Sequence, residues 1–287
     1  MHPWLGCTFA QTALVRCNWL LRQGHLLLPG APNSHSVPLC PLERLGDLGP
    51  DGRDIHDGFT RGRGVTPYPA LWNNDSDEVT TIDRAPNLYL SPRARAAAGR
   101  PERPANLLWP KAARTMLAVR LRFNTHRLVA ARVSEAALSN VWYPFSLRSV
   151  NEDAEKALTL WLNSTLGLLV LAGHRVPTQG AWVQFKKPTW GPLPVLNVAA
   201  LSDQQLRQLA SAYDQVSHAE VLPIRMMDVD PVRQEIDHVF GTVLGLPPIS
   251  AVRNLLVQEP IIQNASIGVP SQVEPVEERQ EQFELLR

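Results

Sequence analysis

The feature that most constrains this chain is an apolar run from Leu160 to Leu171, broken once by Asn163 and Ser164. Spanning a bilayer takes about 20 apolar residues, so the run is too short for that and needs cover from the rest of the chain. Ahead of it, Asn151 is placed to cap a helix, with Glu152, Asp153 and Glu155 in the first turn, where the helix dipole favours acids. Ala154, Ala157, Leu158, Trp161 and Leu162 then recur at helical spacing. The pattern predicts a helix to Asn163-Ser164-Thr165 and a second one to about Ala172, before Gly173. In this reading the Asn and Ser satisfy the break and serve as scaffold.

Other segments are shorter. Gln11 to Gln23 reads as a helix stopped by Gly24, with Leu26 to Leu28 as a strand and Pro29 to Pro41 as a loop. Prolines punctuate the stretch from Pro67 to Pro110 and argue for short strands and loops there. Thr115 to Phe123 alternates so that Val119 and Leu121 share one face and Arg120 and Arg122 the other; Leu128 to Val133 is a facing strand. Trp182 to Lys187 is a further alternating strand. Ser202 to Gln205 forms a capping box that starts a helix to about Ser217. Asp230-Pro231 opens another helix, stopped by Gly245, and Ser250 to Glu259 is the last, ended by Pro260. These elements imply an α+β chain.

Charge is distributed unevenly. From Arg84 to Arg148 there are twelve basic residues and two acids, a net of +10, while the whole chain carries +1. Eleven of the twelve are Arg, which suits bidentate recognition of phosphate and guanine. Such asymmetry points to a polyanion partner, or to a solvated basic surface that pairs internally with the acidic C-terminal third.

The residues offer little catalytic chemistry. Gly58 to Gly64, with Arg61 and Arg63, has glycines but lacks the strand-to-helix context of a phosphate cradle; it reads as a surface loop or as an Arg–Gly loop touching a nucleic-acid backbone. Asp54-Ile55-His56-Asp57 is the densest titratable group and suits a capped turn, a base or a metal ligand. The eight histidines have no helical zinc spacing, there is no CxxC, and no serine elbow is present. Cys7, Cys17 and Cys40 read as three reduced thiols of a cytoplasmic protein, and the N-terminus does not read as a secretory signal. Most of the eight tryptophans read as core beneath loops, with base stacking as the alternative.

Several strings, in order, resemble a known family. Thr66-Pro67-Tyr68-Pro69-Ala70-Leu71-Trp72-Asn73-Asn74-Asp75 resembles a stretch that follows the catalytic domain of bacterial adenine-specific DNA methyltransferases. Asn124-Thr125-His126-Arg127 and Leu138-Ser139-Asn140-Val141-Trp142 look like the recognition region of that family. Leu160 to Gly167 is similar to its helix junction, Trp182 to Lys187 with Leu193-Pro194-Val195 to the strand and turn that follow, and Asp230 to Asp237 with Leu244-Gly245-Leu246 to its C-terminal helix. Specificity subunits of type I restriction systems use a related arrangement. The resemblance covers roughly Pro38 to Pro260. It implies the target-recognition region of a restriction–modification enzyme. Two motifs are missing: the Asn/Asp-Pro-Pro-aromatic string that holds the target amino group and the glycine-rich string for S-adenosylmethionine. Pro247-Pro248 stands in Leu-Pro-Pro-Ile and does not replace the first.

The resulting expectation is an N-terminal helix and linker (1–41) left from a larger domain, a DNA target-recognition-like domain (42–200), a helical segment (201–264) and a disordered tail (265–287). No catalytic residue, cofactor or metal is expected in the chain, and none of it is expected to cross a membrane. The expected partners are double-stranded DNA and a catalytic methyltransferase subunit that binds S-adenosylmethionine. Phosphate and base contacts are expected from Arg61, Arg63, Arg120, Arg122, Asn124, His126, Arg127, Lys186 and Lys187. The competing reading is a scaffold or assembly protein that docks a partner through acidic C-terminal helices, or an inactive remnant of a methyltransferase.

Overall fold

The computed structural model describes residues 9–72, 78–96, 98–149, 151–177 and 182–263. Cys7, Asn73 to Asp75 and the expected tail lie outside the described residues. The chain begins with α1 (Thr12–Leu21), the antiparallel pair β1 (His25–Leu27) and β2 (Ser34–Ser36), then β3 (Leu39–Pro41). Next come α2 (Leu42–Leu45), β4 (Gly46–Leu48), α3 (Gly52–Gly58), β5 (Phe59–Arg61), β6 (Pro69–Leu71), β7 (Asp83–Arg84) and β8 (Leu88–Pro92). The middle continues with α4 (Ala105–Leu108), β9 (Ala113–Ala118), β10 (Arg120–Leu121), β11 (Ala130–Ser139) and β12 (Trp142–Leu147). It closes with α5 (Glu152–Asn163), α6 (Thr165–Gly173), β13 (Val176–Pro177), β14 (Val183–Gln184), α7 (Lys187–Trp190) and β15 (Pro194–Leu196). The last helices are α8 (Asp203–Val216), α9 (Pro231–Leu244), α10 (Ser250–Val257) and α11 (Pro260–Gln263).

The fold is mixed α+β, built on a curled mixed sheet. Strands run in the order β4-β12-β9-β11-β6-β8-β5, with β7 also on β11. β11 is antiparallel to β9 and parallel to β6 and β7. Its register slips between Arg132 and Ala137, where Ser134, Glu135 and Ala136 are exposed. A slip of this kind bends a strand and lets its two ends serve different packing layers. Ala130, Ala131 and Val133 belong to the main core, while Leu138 belongs to a small separate cluster with Ile55, Phe59, Trp72, Leu90 and Leu108.

The strand predicted over Thr115–Phe123 divides at Val119. β9 stays in the large sheet, while β10 turns away to pair with β14, Arg120 opposite Gln184. The facing strand runs further than its apolar stretch suggested and reaches Ser139, where the parallel partner β6 pairs with Leu138 and Ser139.

The main core lies around α6, whose nine residues are all buried. An all-apolar helix needs cover on every side. α5 meets it end to end, and α1 and α10 pack against it. Among the described residues no single helix is long and apolar enough to cross a membrane; α5 and α6 together have the length but are bent by 65°, and every residue from Ala157 to Gly173 is buried. Ser164 caps α6, accepting from the Gly167 N–H at 3.1 Å and donating to the Trp161 carbonyl at 2.7 Å. Gly167 has no room for a side chain: a Cβ would stand 2.0 Å from the Trp161 carbonyl oxygen.

Asn163 joins this helix break to the sheet. Its oxygen accepts from Val129 N at 2.9 Å, and its amide donates to the carbonyls of Ala130 at 2.8 Å and Thr159 at 2.9 Å. The same core cluster runs from Phe9 through Ile262, so residues of all three expected segments (1–41, 42–200 and 201–264) share it. At the far end Glu259 accepts from the N–H groups of Ala10 and Gln11 at 2.8 and 3.0 Å, a carboxylate at the N-terminus of α1.

Replacing Asn163 strands the Val129 N–H and the Ala130 carbonyl inside the protein. Each stranded buried group costs about 1–3 kcal/mol. Asn163→Ala is therefore expected to lower unfolding free energy by about 3 kcal/mol or more in urea titrations. A loss within the ~0.5 kcal/mol typical of surface changes would refute the clamp.

Candidate nucleic-acid interface

The division of the strand at Val119 carries Arg120 out of the large sheet and sets it beside Gln184 of β14. Two residues beyond Gln184, Lys186 leads into α7, which begins at Lys187. On the opposite side stands α3. Gly52, its first residue, is pressed against the β11–β12 turn, where a Cβ would come within 2.2 Å of the Asn140 carbonyl oxygen. Ser139 shapes that turn by accepting from Trp142 N at 3.1 Å.

Between these elements lies a cleft of about 1070 Å³. Arg53, Arg100, Arg103, Arg120, Lys186 and Lys187 line it. Among the described residues, Asp51, Asp54 and Asp57 are the carboxylates on its walls, so cations outnumber acids six to three there. Clefts lined with an excess of one charge focus the field and draw in ions of the opposite sign. The cations come from four separate parts of the chain, and the fold alone brings them together.

The acids are placed as counter-charges. Arg100 grips Asp57 through two nitrogens at 2.9 and 2.8 Å, and Arg103 meets Asp54 at 2.9 Å. Lys187 lies 3.4 Å from Asp51 and 5.7 Å from the Tyr143 ring centroid. Burial, together with the neighbouring Asp51 carboxylate, pushes the Tyr143 phenol up to about 12. The Asp57 carboxyl is held below its ordinary range, chiefly by the hydrogen bond from Arg100; burial opposes this, and the charges of Arg100, Arg103 and Arg53 add to it.

Beside the cleft, the guanidinium carbons of Arg120 and Arg122 lie 4.5 and 4.1 Å from the Trp182 ring centroid. His126 meets the same ring edge-on at 5.4 Å. Trp182 is therefore a half-buried platform under two arginines, an arrangement that holds both side chains in place. Trp72, Trp142, Trp161 and Trp190 are buried, as expected for core residues.

Of the nine residues expected to touch DNA, the structure brings Arg120, Lys186 and Lys187 to one cleft, with Arg122 joined to them through Trp182. Asn124 lies in the adjoining turn, half-buried, and its side-chain oxygen has no hydrogen-bond partner. His126 is a correction: it is fully buried, with Nδ1 3.2 Å from Thr125 Oγ1, and has no surface to offer a base. Arg127 is a second correction. Its guanidinium is held by Glu220 at 2.7 Å and the Val221 carbonyl at 2.8 Å, and its own carbonyl accepts from the buried Arg233. Arg61 and Arg63 are exposed at and just after the end of β5, and neither lines the cleft.

The +10 segment looks different in three dimensions. Among the described residues, Arg100, Arg103, Arg114, Arg127, Arg132 and Arg148 meet carboxylates. All of these carboxylates come from outside the segment: Asp47, Asp54, Asp57, Glu152, Glu155 and Glu220. Only Glu220 belongs to the C-terminal third, so the pairing is mostly with nearby elements. Sequence reasoning missed Arg53 as a wall of the cleft: the neighbouring Asp54-Ile55-His56-Asp57 suited a capped turn, a base or a metal ligand, and no helix was expected there.

The Asp54-Ile55-His56-Asp57 cluster does not converge: Asp54 and Asp57 hold arginines, and His56 lies edge-on against Trp72 at 4.8 Å. Among the described residues no group of three or more His, Cys, Asp or Glu side chains is arranged to hold a metal ion. No protein-family model, curated protein or solved structure matches this chain.

Because the folded Asp57 pKa is depressed, its stabilising contribution is present above the ordinary carboxylate value near 4 and fades as pH falls through the lower folded value. In Arg100→Gln the Asp57 midpoint should rise toward about 4, moving that loss to higher pH. A carboxyl-detected NMR titration checks this, and an unshifted midpoint counts against Arg100 as the cause.

Proposed function

We propose that this chain is the DNA-recognition portion of an adenine-specific DNA methyltransferase or restriction–modification system. Its basic cleft holds the phosphate backbone of a duplex. The observation that carries the reading is the cleft itself: six cations against three acids, with arginines and lysines converging from distant segments. The ordered resemblance of the recognition, helix-junction and C-terminal strings supports the family.

In this reading the cleft positions and the adjoining loops specify. Arg120 and Arg122, held on the Trp182 ring, are suited to present guanidinium edges to phosphates or to guanine. Lys186, exposed, and Lys187 and Arg53 add backbone contacts. Methyl transfer belongs to a partner subunit that binds S-adenosylmethionine and takes up the extruded adenine, because this chain lacks both motifs. Such a role places the protein in the cytoplasm, where the buried, unpaired Cys17 and Cys40 stay reduced.

Fluorescence anisotropy with a labelled duplex tests the reading. Affinity should fall with salt, with a slope of about −0.9 per phosphate contacted in a double-logarithmic plot. Lys186→Ala should flatten the slope by about one unit, and Asp51→Asn should tighten binding by removing an acid from the cleft wall. Absence of duplex binding, or binding indifferent to salt, overturns the proposal.

A further inference from the structure

The described fold ends at Gln263, and 24 residues of the chain follow it. That segment, 264–287, holds five glutamates (Glu274, Glu277, Glu278, Glu281 and Glu284) against two arginines, a net of −3, with no aspartate or lysine. The basic cleft has an excess of three cations among its described lining residues. Its wall carboxylates are committed to Arg100, Arg103 and Lys187. Arg53 and Lys186 are exposed, and no described carboxylate forms an ion pair with either. No acid from 201 to 263 lines the cleft; those that form ion pairs with Lys or Arg do so with Arg127, Lys156, Arg233 and Arg253.

The chain leaves the described fold beside this cleft. Gln263 Nε2 donates to the Arg225 carbonyl at 3.1 Å, and the preceding residue, Ile224, donates its N–H to the His126 carbonyl at 2.9 Å. The His126 ring lies 5.4 Å from that of Trp182, which carries Arg122 at 4.1 Å and Arg120 at 4.5 Å. Arg120 is on the cleft wall, and so is Gln184 opposite it. The path from Gln263 to Arg120 thus crosses only Arg225, Ile224, His126 and Trp182. An extended chain advances about 3.3 Å per residue, which carries Glu274 about 35 Å and Glu284 about 70 Å beyond Gln263. That reach is ample for a path of four contacting residues.

Tethering makes weak pairs sufficient. Exposed ion pairs contribute about 0–1 kcal/mol each, too little to hold a free peptide firmly. A segment joined to its site by a short linker acts at an effective concentration in the millimolar range.

We propose that the glutamates of residues 274–284 dock in the basic cleft of their own chain, against Arg53, Lys186 and Lys187, and compete there with a duplex. The competition rests on the reading of the cleft as a DNA site; the docking does not. A duplex has to displace the segment, so only one with enough phosphate contacts to outlast the tethered acids is retained.

Carbodiimide coupling of the full chain without DNA tests the docking, since it joins a lysine to a carboxylate already in contact. The chain has four lysines, which makes the readout selective. Lys186 and Lys187 line the cleft, Lys111 is exposed outside it, and Lys156, 2.8 Å from Asp214, is the internal control. Peptide mass spectrometry should find the glutamates of 274–284 coupled to Lys186 or Lys187, at a yield unchanged by about tenfold dilution. Lys156–Asp214 coupling with no link from this segment to Lys186 or Lys187 refutes the docking. Equal coupling to Lys111, the mark of random encounter, refutes it too, as does a yield that falls with dilution, the mark of a second copy. Exchanging all five glutamates for Gln (Glu274→Gln and its four counterparts) should tighten duplex binding about tenfold at low salt. Duplex affinity unchanged by that exchange refutes the competition. A chain that binds no duplex refutes the functional reading, and the cross-links then decide the docking alone.

Discussion

A buried carboxylate, Asp237, makes it possible to place α6, apolar but for its first residue Thr165, inside this protein. The first amides of α6 have no partners within the helix and, at that depth, no water. Asp237 accepts from the Thr165 N–H at 2.9 Å and from its hydroxyl at 2.5 Å, while Arg253 reaches the same carboxylate at 2.7 Å and balances its charge. Ser164 takes the Gly167 amide, and Asn163 ties the break to the start of β11. The helix thus depends on residues more than seventy positions further along the chain. The C-terminal helices are part of its cap, and separating them from the mixed centre would expose the most apolar element in the protein.

Net charge along a sequence is a poor guide to net charge on a surface, and the arginines here show why. Arg132 is buried and held by two glutamates of the helix that follows the sheet, and Arg127 is spent on Glu220 and a carbonyl. Both counted toward the +10 of the linear segment. Meanwhile the lysines of the cleft lie outside that segment, on the far side of α5 and α6. A window sums neighbours in sequence, whereas a polyanion meets neighbours in space.

The parts legible in the sequence were those set by local rules. The α8 capping box, Pro231 at the start of α9, Gly245 at a φ of 64° after it, and the Asn151 cap all depend on residues within one turn of each other. Asn163 and Ser164 were readable as a satisfied helix break for the same reason. The partners of Asn163 across the sheet, and of Thr165 in α9, were not readable, because long-range pairing leaves no periodic trace. β2 and β3 were hidden by the prolines and the glycine around them, and α3 by glycines that serve close approach. Gly52 marks a turn by composition, yet it opens a helix that must lie against the Asn140 carbonyl. His126 shows the opposite error: a polar residue in a predicted turn looks exposed until the fold closes over it.

The carboxylates of the cleft bear on how such a site would work. Its pairs are exposed to different degrees: Lys187 and Asp51 are 35% and 52% exposed, Arg103 and Asp54 44% and 29%, while Asp57 is 7% exposed under an Arg100 that is 40% exposed. Exposed pairs contribute about 0–1 kcal/mol each. Exchanging such a carboxylate for a phosphate oxygen therefore costs little, and the cation stays in place through the exchange. Asp57, with its bidentate grip and low exposure, resists exchange and fixes the direction of Arg100. In the proposed reading the acids keep the cations extended and separated until a phosphate backbone arrives. The net excess of three charges sets the sign of the attraction, and the weakness of the outer pairs keeps it reversible.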